Sequence, residues 1–294
     1  MNKKCGYVAL IGAPNAGKST LLNQFVGTKV SIVSPKVQTT RTLVKGIGIH
    51  NNTQIIFIDT PGIFKPKGNL EKTIVSNAWN GVKDADISVL LVDAKKGIDD
   101  NTRNIISKLN NRRVSVLLNK IDLVQKDKLL GLAQKLNELY PFEQTFFASA
   151  LKGEHLEDFY NYLADNLPDS PWYYDEDQIS DLPTRLLIAE IIREKAFLYL
   201  QQELPYSIIV EPESFERKED NSIKANMTIY VQRDNQKSIV LGKGGSMIKK
   251  IGQSARKEIE NLLEEKVHLF LFVKVKENWS DNLQSFSVFN DIMM

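Results

Sequence analysis

The sequence predicts a doubly wound α/β domain with a mostly parallel sheet, followed by a smaller α+β domain. Three observations carry this prediction. Continuous apolar runs alternate with amphipathic stretches through the first half, the pattern changes after a segment rich in proline and acid, and the second half has only three strand-like runs. With 294 residues, the chain is long enough for two domains with separate cores.

The strands predicted in the first half are rich in Val, Ile and Leu, which is typical of a sheet that is buried on both faces. Helical patterns such as NTRNIISKL and KDKLLGLAQKLNEL lie between them. The predicted strands are YVALIG, KGIGIH, TQIIFID, ISVLLVD, RVSVLLN and QTFFAS.

Prolines and an acidic cluster mark a linker at about residues 168–183. We therefore place the first domain at residues 1–172, the linker at 173–183 and the second domain at 184–294. The second domain opens with a helix from about Thr184 to Gln201, and PYSIIVEPESFE and SIKANMTIYVQR predict a hairpin. Two helices then flank GKGG and VHLFLFVKVK forms the last strand, so the predicted order is α-β-β-α-α-β.

Composition indicates a globular protein of a reducing compartment. The chain is 42% hydrophobic and 25% charged, with a net charge of +2. Cys5 is the only cysteine, which excludes an internal disulfide and, with three scattered histidines, argues against a zinc site. The N-terminus lacks a signal-peptide pattern, and no apolar run reaches the roughly 18 residues that a membrane span needs. We therefore expect a cytoplasmic protein.

Charge is distributed unevenly along the chain. Residues 154–177 hold eight acids and no Lys or Arg, which a solvated surface accounts for. Residues 231–257 hold seven basic residues and one acid. This basic run coincides with a glycine-lysine sequence, GKGG, so it bears on function.

A first glycine-lysine sequence, GAPNAGKST, fits the phosphate-binding loop G-x-x-x-x-G-K-[ST] and follows a predicted strand. Backbone N–H groups and the next helix N-terminus form an anion nest there, while Lys18 reaches the outer phosphates and Ser19 binds Mg²⁺. The alternative is a glycine turn that only packs. The residues expected to contact the nucleotide are Gly12, Ala13, Pro14, Asn15, Ala16, Gly17, Lys18, Ser19 and Thr20.

Three further motifs follow in the order that a guanine-nucleotide switch needs. Asp59-Thr60-Pro61-Gly62 ends a strand, which places Asp59 to hold a Mg²⁺-bound water and Gly62, followed by Ile63, near the γ-phosphate. Asn119-Lys120-Ile121-Asp122 ends another strand. The Asp122 carboxylate would accept from the ring N–H and amino group of guanine and so reject adenine, which lacks that donor pair.

The last of these motifs is Ser149-Ala150-Leu151, in which the Ala150 N–H can be offered to the guanine carbonyl. Alone, DTPG or SAL predicts a turn as readily as a site. All four motifs in order predict a GTP and GDP site.

Between the first two motifs, SPKVQTTR, Ser34 to Arg41, is a polar segment without periodicity. It is the expected position of a mobile loop that senses the γ-phosphate, with Thr40 preferred to Thr39 as a Mg²⁺ ligand. The alternative is a plain surface loop. We name Lys18, Thr40 and Gly62 as catalytic candidates.

The arrangement of GAPNAGKST, QTTR, DTPG, NKID and SAL resembles the Era family of bacterial GTPases. The resemblance continues in AEIIREKAF, IVLGKGGSMIKKIG and VKVKENW, which are similar to the C-terminal KH domain of that family, and it covers nearly the whole chain. It implies a phosphate-loop GTPase domain followed by a type II KH domain.

The second glycine-lysine sequence does not fit a nucleotide site, because its glycines are not five apart and Gly244 follows Lys243. A Gly-x-x-Gly turn between two helices beside a three-stranded sheet is the nucleic-acid clamp of a KH domain. Ile239 and Val240 would floor its groove. The alternative is a helix-turn-helix with a solvated basic face. The predicted RNA-binding residues are Gly242, Lys243, Gly244, Gly245, Lys249 and Lys250.

The resemblance also implies partners. They are the 3′ end of 16S ribosomal RNA and the pre-30S subunit, bound during small-subunit assembly and rRNA maturation. Peripheral association with the inner face of the cell membrane is implied too, although nothing in the sequence explains it. We expect a monomer.

Ile63 occupies the position at which many GTPases place a glutamine that orients water, so we expect slow hydrolysis. No arginine in cis is an obvious substitute, and Arg41 stays open. In GTPases that resemble this one, an asparagine at the position of Asn15 can help to hold K⁺ against the phosphates. The alternative is that Asn15 only shapes the loop through local hydrogen bonds.

Two alternatives to an RNA-binding GTPase remain open from the sequence. One is a membrane-associated signalling GTPase whose KH-like module binds protein, which the basic segment at 231–257 counts against. The other is a regulator that binds single-stranded DNA.

Overall fold

The structure of the protein is a computed structural model, which describes residues 3–34, 36, 39–66, 68–110, 112–201, 204–279 and 283–290. Pro35, Val37 and Gln38 of the predicted switch loop lie outside the described residues. The chain forms two compact units, one of Met1–Ser31 and Val37–Asp181 and one of Ile32–Lys36 and Leu182–Met294. Within the part of the chain described, no helix has both the length and the apolarity to cross a membrane.

The strands are β1 (Lys4–Gly12), β2 (Val44–His50), β3 (Thr53–Asp59), β4 (Ile87–Asp93), β5 (Val114–Asn119), β6 (Thr145–Ala148), β7 (Ile209–Arg217), β8 (Ile223–Val231) and β9 (Val267–Val275). The helices are α1 (Lys18–Val26), α2 (Asn69–Lys83), α3 (Asp100–Ile106), α4 (Lys126–Leu139), α5 (Glu157–Asn166), α6 (Thr184–Tyr199), α7 (Asp234–Leu241), α8 (Ser246–Leu263) and α9 (Ser287–Asn290).

The first unit contains a six-stranded sheet in the order β2-β3-β1-β4-β5-β6. All neighbouring pairs are parallel except β2 and β3, which run antiparallel. Separate apolar clusters cover the two faces of the sheet. This confirms the predicted doubly wound domain and puts the carboxyl ends of β1, β3 and β5, where the motifs begin, at one edge.

Two helices of the first unit were not predicted. Helix α2 has three asparagines and a glycine, which lower its helix propensity. Helix α5 lies in the acidic run that we interpreted as a solvated surface. Its acids Glu157 and Asp158 occupy the first turn, where the helix dipole favours them, while Phe159 and Leu163 are buried.

The segment that we interpreted as a linker is largely built into the first unit. We call residues 168–181 the strap. Its backbone pairs with that of Lys3, Cys5 and Ile47 on β1, β2 and the preceding chain. The domain boundaries at residues 172 and 184 stay a prediction.

Gln54 fixes the middle of the strap. Its side chain is fully buried on β3, and its Oε1 accepts from the N–H groups of Tyr173 and Tyr174 at 3.0 and 3.1 Å. Its Nε2 donates to the Tyr174 carbonyl at 2.9 Å. One buried side chain thus satisfies three backbone groups.

The second unit has a three-stranded sheet, in the order β7-β8-β9, with α6 and α8 on one face. Strand β8 is antiparallel to β7 and parallel to β9. Ile192 of α6, Met227 of β8 and Ile259 of α8 are fully buried in its core. The predicted order α-β-β-α-α-β is confirmed. The aromatic residues Trp279, Phe286 and Phe289, which follow β9, are also buried.

Residues Ile32–Lys36 belong to the second unit although they precede it by about 150 residues in the chain. The Val33 N–H donates to Glu194 Oε1 at 3.1 Å, and Lys36 Nζ donates to the Leu200 carbonyl. Ile32 is 2% exposed. The segment is therefore held at the end of α6.

We predict that Gln54→Leu destabilises the first unit by about 2–4 kcal/mol, because three partly buried backbone groups of Tyr173 and Tyr174 would each lose a hydrogen bond worth about 0.5–1.5 kcal/mol. The free energy of unfolding in urea measures this. Gln134→Leu, on the exposed face of α4, is the matched control and should change it by less than about 0.5 kcal/mol. Equal effects of the two substitutions would contradict the role of Gln54.

Candidate nucleotide-binding and nucleic-acid-binding sites

The predicted phosphate-binding loop joins β1 to α1, and its glycines stand where a side chain does not fit. A Cβ on Gly12 would lie 2.6 Å from the Leu91 carbonyl oxygen. Gly17 has a φ of 102°, and its Cβ would lie 2.1 Å from Asn119 Nδ2. The loop therefore requires both glycines, and the interpretation as a phosphate loop agrees with its shape.

Lys18 is 6% exposed at the start of α1. Its ammonium donates to the carbonyls of Gly12 and Ala13, each at 3.2 Å. Burial lowers the pKa of Lys18 to about 8, against the nearby Asp59 carboxylate, which raises it. Phosphate held in the loop would add negative charge beside this ammonium and keep it protonated.

The Asp59 carboxylate accepts hydrogen bonds from hydroxyl groups on three segments of the chain. Its Oδ2 accepts from Ser19 at 2.6 Å, from Ser31 at 2.8 Å and from Thr40 at 3.3 Å. The hydroxyls of Ser19 and Thr40 are themselves 3.1 Å apart. The structure thus brings together the three residues predicted to hold the metal and adds Ser31, which lies in no recognised motif.

The Asp59 cluster fits Mg²⁺ by its chemistry. The carboxylate is fully buried, and burial raises its pKa, opposed by Lys18 and the three hydroxyls. Among the described residues, no group donates to its Oδ1. A buried carboxylate oxygen beside two hydroxyls offers the hard oxygen ligands and water acceptors that Mg²⁺ requires.

The residues that follow Asp59, from Thr60 to Ile63, point towards the interior of the first unit. The Thr60 hydroxyl donates to the Leu10 carbonyl at 2.6 Å. A Cβ on Gly62 would lie 2.8 Å from Pro14 Cα, so this glycine lies against the phosphate loop. The Ile63 N–H donates to the Gly12 carbonyl at 3.1 Å, and the Ile63 side chain is fully buried in the core.

Asn119 links the guanine motif to the phosphate loop. Its Nδ2 donates to the Ala16 carbonyl at 2.8 Å. Lys120, at a φ of 63°, donates from its Nζ to the Asn15 carbonyl and to Asp93 Oδ2, both at 2.7 Å. Asp93 was not predicted as a site residue, because its place at the end of β4 was the only signal in the sequence.

Asp122 lies in a short 3₁₀ helix after β5. Its Oδ1 is buried, and no group of the described chain donates to it. A buried acceptor of this kind is costly unless a ligand supplies a donor, which fits the predicted role in reading guanine.

The Ala150 N–H differs from the prediction. We expected it to be available for the guanine carbonyl, but it donates to Asn119 Oδ1 at 2.9 Å. The reason is that Asn119 ends β5 next to Ala148 of β6, so the two loops meet inside the protein. Ser149 is buried, its backbone pairs with Glu154, and Leu151 is 77% exposed.

The Gly-x-x-Gly sequence forms the turn between α7 and α8. Gly242, Gly244 and Gly245 have φ values of 72°, 59° and 78°. A Cβ on Gly242 would lie 2.8 Å from the Met247 backbone nitrogen, whereas one on Gly244 or Gly245 would meet nothing within 4 Å. Gly242 therefore packs against the start of α8, whereas Gly244 and Gly245 leave open space that a nucleic-acid backbone could enter. Lys243 is exposed beside them.

A groove of about 270 Å³ lies next to this turn, between α8 and β9. A Cβ on Gly252 would lie 3.2 Å from Leu271 Cδ1, so this glycine lets the helix approach the strand. The groove is lined by Ile248, Lys249, Gly252, Gln253, Arg256, Leu269 and Leu271. Arg256 and Gln253 were missed, because only the spacing along α8 could have put them beside Lys249.

Two predicted groove residues lie elsewhere. Val240 is fully buried in the core of the second unit, so it cannot floor a groove, and Ile239 is 55% exposed but does not line this one. The Lys250 ammonium lies 4.4 Å from the centre of the Tyr199 ring on α6, a cation–π contact. Lys249 and Lys250 are adjacent on a helix and so point about 100° apart.

Two family models match the chain. The model described as a 50S ribosome-binding GTPase matches residues 7–120, and the model described as a KH domain matches residues 203–280.

Curated relatives match almost from end to end. GTPase Era of Mesorhizobium japonicum is 58% identical over 279 residues, which are 94% of this chain and 90% of the relative. GTPase Era of Sinorhizobium medicae is 56% identical over 285 residues, which are 96% of this chain and 92% of the relative.

Two solved structures are similar over both units. A variant of Aquifex aeolicus Era bound to GDP·AlF₄⁻ has a TM-score of 0.91 and 40% identity, and the match covers 97% of this chain and 98% of that one. Era in complex with MgGDPNP and nucleotides 1506–1542 of 16S ribosomal RNA has a TM-score of 0.91 and 39% identity, with 98% of each chain covered.

We predict that Asp122→Asn lowers affinity for GTP by about two orders of magnitude, because an amide replaces the acceptor for the guanine donors. Affinity for xanthine nucleotides should rise, since xanthine has a carbonyl in place of the amino group. Titrations with labelled nucleotides measure both. Asp127→Asn, an exposed acid in the first turn of α4, is the matched control. Wild-type protein that binds ATP as tightly as GTP would refute the assignment.

Proposed function

Because this chain belongs to the Era family of GTPases, we propose that it is a Mg²⁺-dependent GTPase that binds the 3′ end of 16S ribosomal RNA. The observation that carries the proposal is that one chain holds both a complete set of guanine-nucleotide motifs at one sheet edge and a Gly-x-x-Gly turn beside a basic groove. A matching structure is of Era with MgGDPNP and 16S RNA nucleotides, which supports the same pair of ligands here.

The phosphate loop binds the nucleotide. Its backbone N–H groups and the N-terminus of α1 hold the phosphates, while the Lys18 ammonium neutralises the outer ones. Ser19, Thr40 and Asp59 would hold Mg²⁺, Asp59 through a water. Bound with the nucleotide, Mg²⁺ supplies positive charge to the phosphate oxygens during transfer. Asp122 selects guanine.

Hydrolysis is slow in this proposal. Ile63 is apolar and fully buried, so it neither orients nor deprotonates a water. Arg41 is 3% exposed, and its guanidinium is enclosed by protein. Because hydrolysis is slow, the GTP-bound state persists for a defined time before the protein passes to the GDP-bound state.

The groove between α8 and β9 binds single-stranded RNA. Gly244 and Gly245 admit the sugar-phosphate backbone, Lys243, Lys249 and Arg256 supply positive charge, and Leu269 and Leu271 offer an apolar floor to unstacked bases. The proposed partner is the small-subunit precursor, and the proposed location is the cytoplasm. The described residues give no support to peripheral membrane association.

Binding of a fluorescent RNA copy of the 16S 3′ end, in GTP analogue and in GDP, tests the proposal. We expect tight, salt-dependent binding that differs between the nucleotides. A DNA oligonucleotide of the same sequence and an unrelated RNA are the controls. Equal affinity for all three would favour a general single-strand binder.

We predict that Gly244→Asp weakens RNA binding by about tenfold or more, because a carboxylate would meet backbone phosphate at short range. Gly244→Asn is the matched control: asparagine and aspartate both tolerate the left-handed φ, and there is open space for either. Asn should therefore retain most of the affinity, and neither change should alter GTP affinity. If both variants lost the same RNA affinity, the cause would be the added side-chain volume and not the negative charge of the carboxylate.

We also propose that Asn15 helps to hold K⁺ against the phosphates, which compensates in part for Ile63. Asn15 has a φ of 64°, and its carbonyl is held by Lys120 Nζ. Single-turnover hydrolysis in K⁺ should exceed that in Na⁺ at equal ionic strength by roughly tenfold, a small part of what an arginine finger supplies.

Two Asn15 variants separate the ion from loop geometry. Asn15→Gly keeps the left-handed backbone without strain and should abolish the difference between the salts. Asn15→Asp keeps an oxygen ligand and should retain part of it. Equal wild-type rates in K⁺ and Na⁺ would remove the ion and leave Asn15 a structural residue.

A further inference from the structure

Ser31 is the hydroxyl in the Asp59 cluster that belongs to no nucleotide-binding motif. It is 3% exposed, and its Oγ donates to Asp59 Oδ2 at 2.8 Å. The other two donors to that oxygen, Ser19 and Thr40, are candidates for Mg²⁺ coordination. Ser31 is therefore the donor whose contact with the carboxylate does not compete with a metal bond.

Asn23 fixes the backbone of Ser31. Its Oδ1 accepts from the N–H groups of Val30 and Ser31 at 3.0 and 2.9 Å. Its Nδ2 donates to the Ser31 carbonyl at 2.7 Å. Two of these bonds hold the N–H and the carbonyl of Ser31 and the third holds the N–H before it, so the position from which the Ser31 side chain extends is fixed. We call the connection from Asn23 through Ser31 to Asp59 the Asn23–Ser31 brace.

The brace connects two parts of the nucleotide site. Asn23 lies on α1, one turn after Ser19 and in the same helix as Lys18. Asp59 lies at the end of β3. Because α1 begins at the phosphate loop, the brace fixes the distance between the helix that holds the phosphates and the carboxylate that serves the metal.

The orientation of Asp59 needs such a contact. Its Oδ1 has no donor among the described residues, so hydrogen bonds to Oδ2 determine the plane of the carboxylate. If the Ser19 and Thr40 hydroxyl oxygens held Mg²⁺, their hydrogen bonds to Asp59 would have to reorient. A donor held by its own backbone keeps the carboxylate in place through that change.

We infer that Ser31, held by Asn23, is a positioning residue that orients Asp59 for the Mg²⁺ that accompanies the nucleotide. The inference rests on the proposed Mg²⁺ site. Groups that orient a metal's ligands typically contribute 10–100-fold to metal affinity. Loss of the hydroxyl should therefore weaken Mg²⁺ without weakening the contacts that the loop makes to the nucleotide itself.

The release of a fluorescent GDP analogue from the full-length protein measures this. Its dissociation rate is recorded from excess chelator to millimolar Mg²⁺, which gives the Mg²⁺ concentration at half-maximal retention. We expect Ser31→Ala to raise this midpoint about tenfold. The rate in chelator should change less than about twofold, because it contains no metal contribution.

Three further variants define the cause. Ser31→Thr keeps a hydroxyl and should retain the wild-type midpoint within about threefold. Ser31→Cys keeps the volume but offers only a weak donor, so it should shift the midpoint as Ala does. Ser115, on β5, is 1% exposed, and its hydroxyl donates to the Tyr162 hydroxyl of α5. Ser115→Ala removes this buried hydroxyl and should leave the midpoint unchanged.

The outcomes are distinguishable. A Ser31→Ala protein with the wild-type midpoint would overturn the inference, as would equal acceleration at every Mg²⁺ concentration, which indicates a general loosening. If Ala does not fold, Thr and Cys decide, and identical midpoints for these two would overturn it. Wild-type release that is independent of Mg²⁺ would overturn the proposed metal site and the inference with it.

Discussion

The side chain of Asn119 is the connection on which the nucleotide site depends. One amide donates to the Ala16 carbonyl of the phosphate loop and accepts from the Ala150 N–H of the last motif. Its Nδ2 also occupies the space in which a Cβ of residue 17 would lie. A single buried side chain thus holds together three segments that are separated by about 100 and 30 residues in the chain. An amide can do this because it both donates and accepts hydrogen bonds.

The sequence indicates where the candidate nucleotide motifs lie better than it indicates which other residues support them. The four nucleotide motifs could be placed because each follows an apolar strand, and parallel strands end at one edge. Ser31 and Asn23 gave no such signal, since a serine in VSIVS and an asparagine in a helix are ordinary residues. Their contact exists only in the folded chain, where the Asn23 side chain binds backbone groups seven and eight residues further on.

The strap is a second feature that its own sequence did not predict. Its prolines and acids are typical of a linker, yet Gln54 and the chain around β1 and β2 bind it to the first unit. A glutamine in an otherwise apolar strand was the available signal, because a buried amide needs partners. In the second unit, Val240 was predicted to floor a groove, but the short sequence of α7 did not reveal that this side chain faces the core.

The position of Ile32–Lys36 in the second unit affects how this protein can be divided. A fragment that starts at Leu182 contains every element of the KH fold, yet it lacks a buried isoleucine and the N–H that donates to Glu194. The end of α6 would then be exposed to water in a way that the intact chain does not allow. Melting temperatures and RNA affinities of such a fragment would describe a weakened domain, and a fair dissection requires the short segment to be supplied as a peptide or fused by permutation.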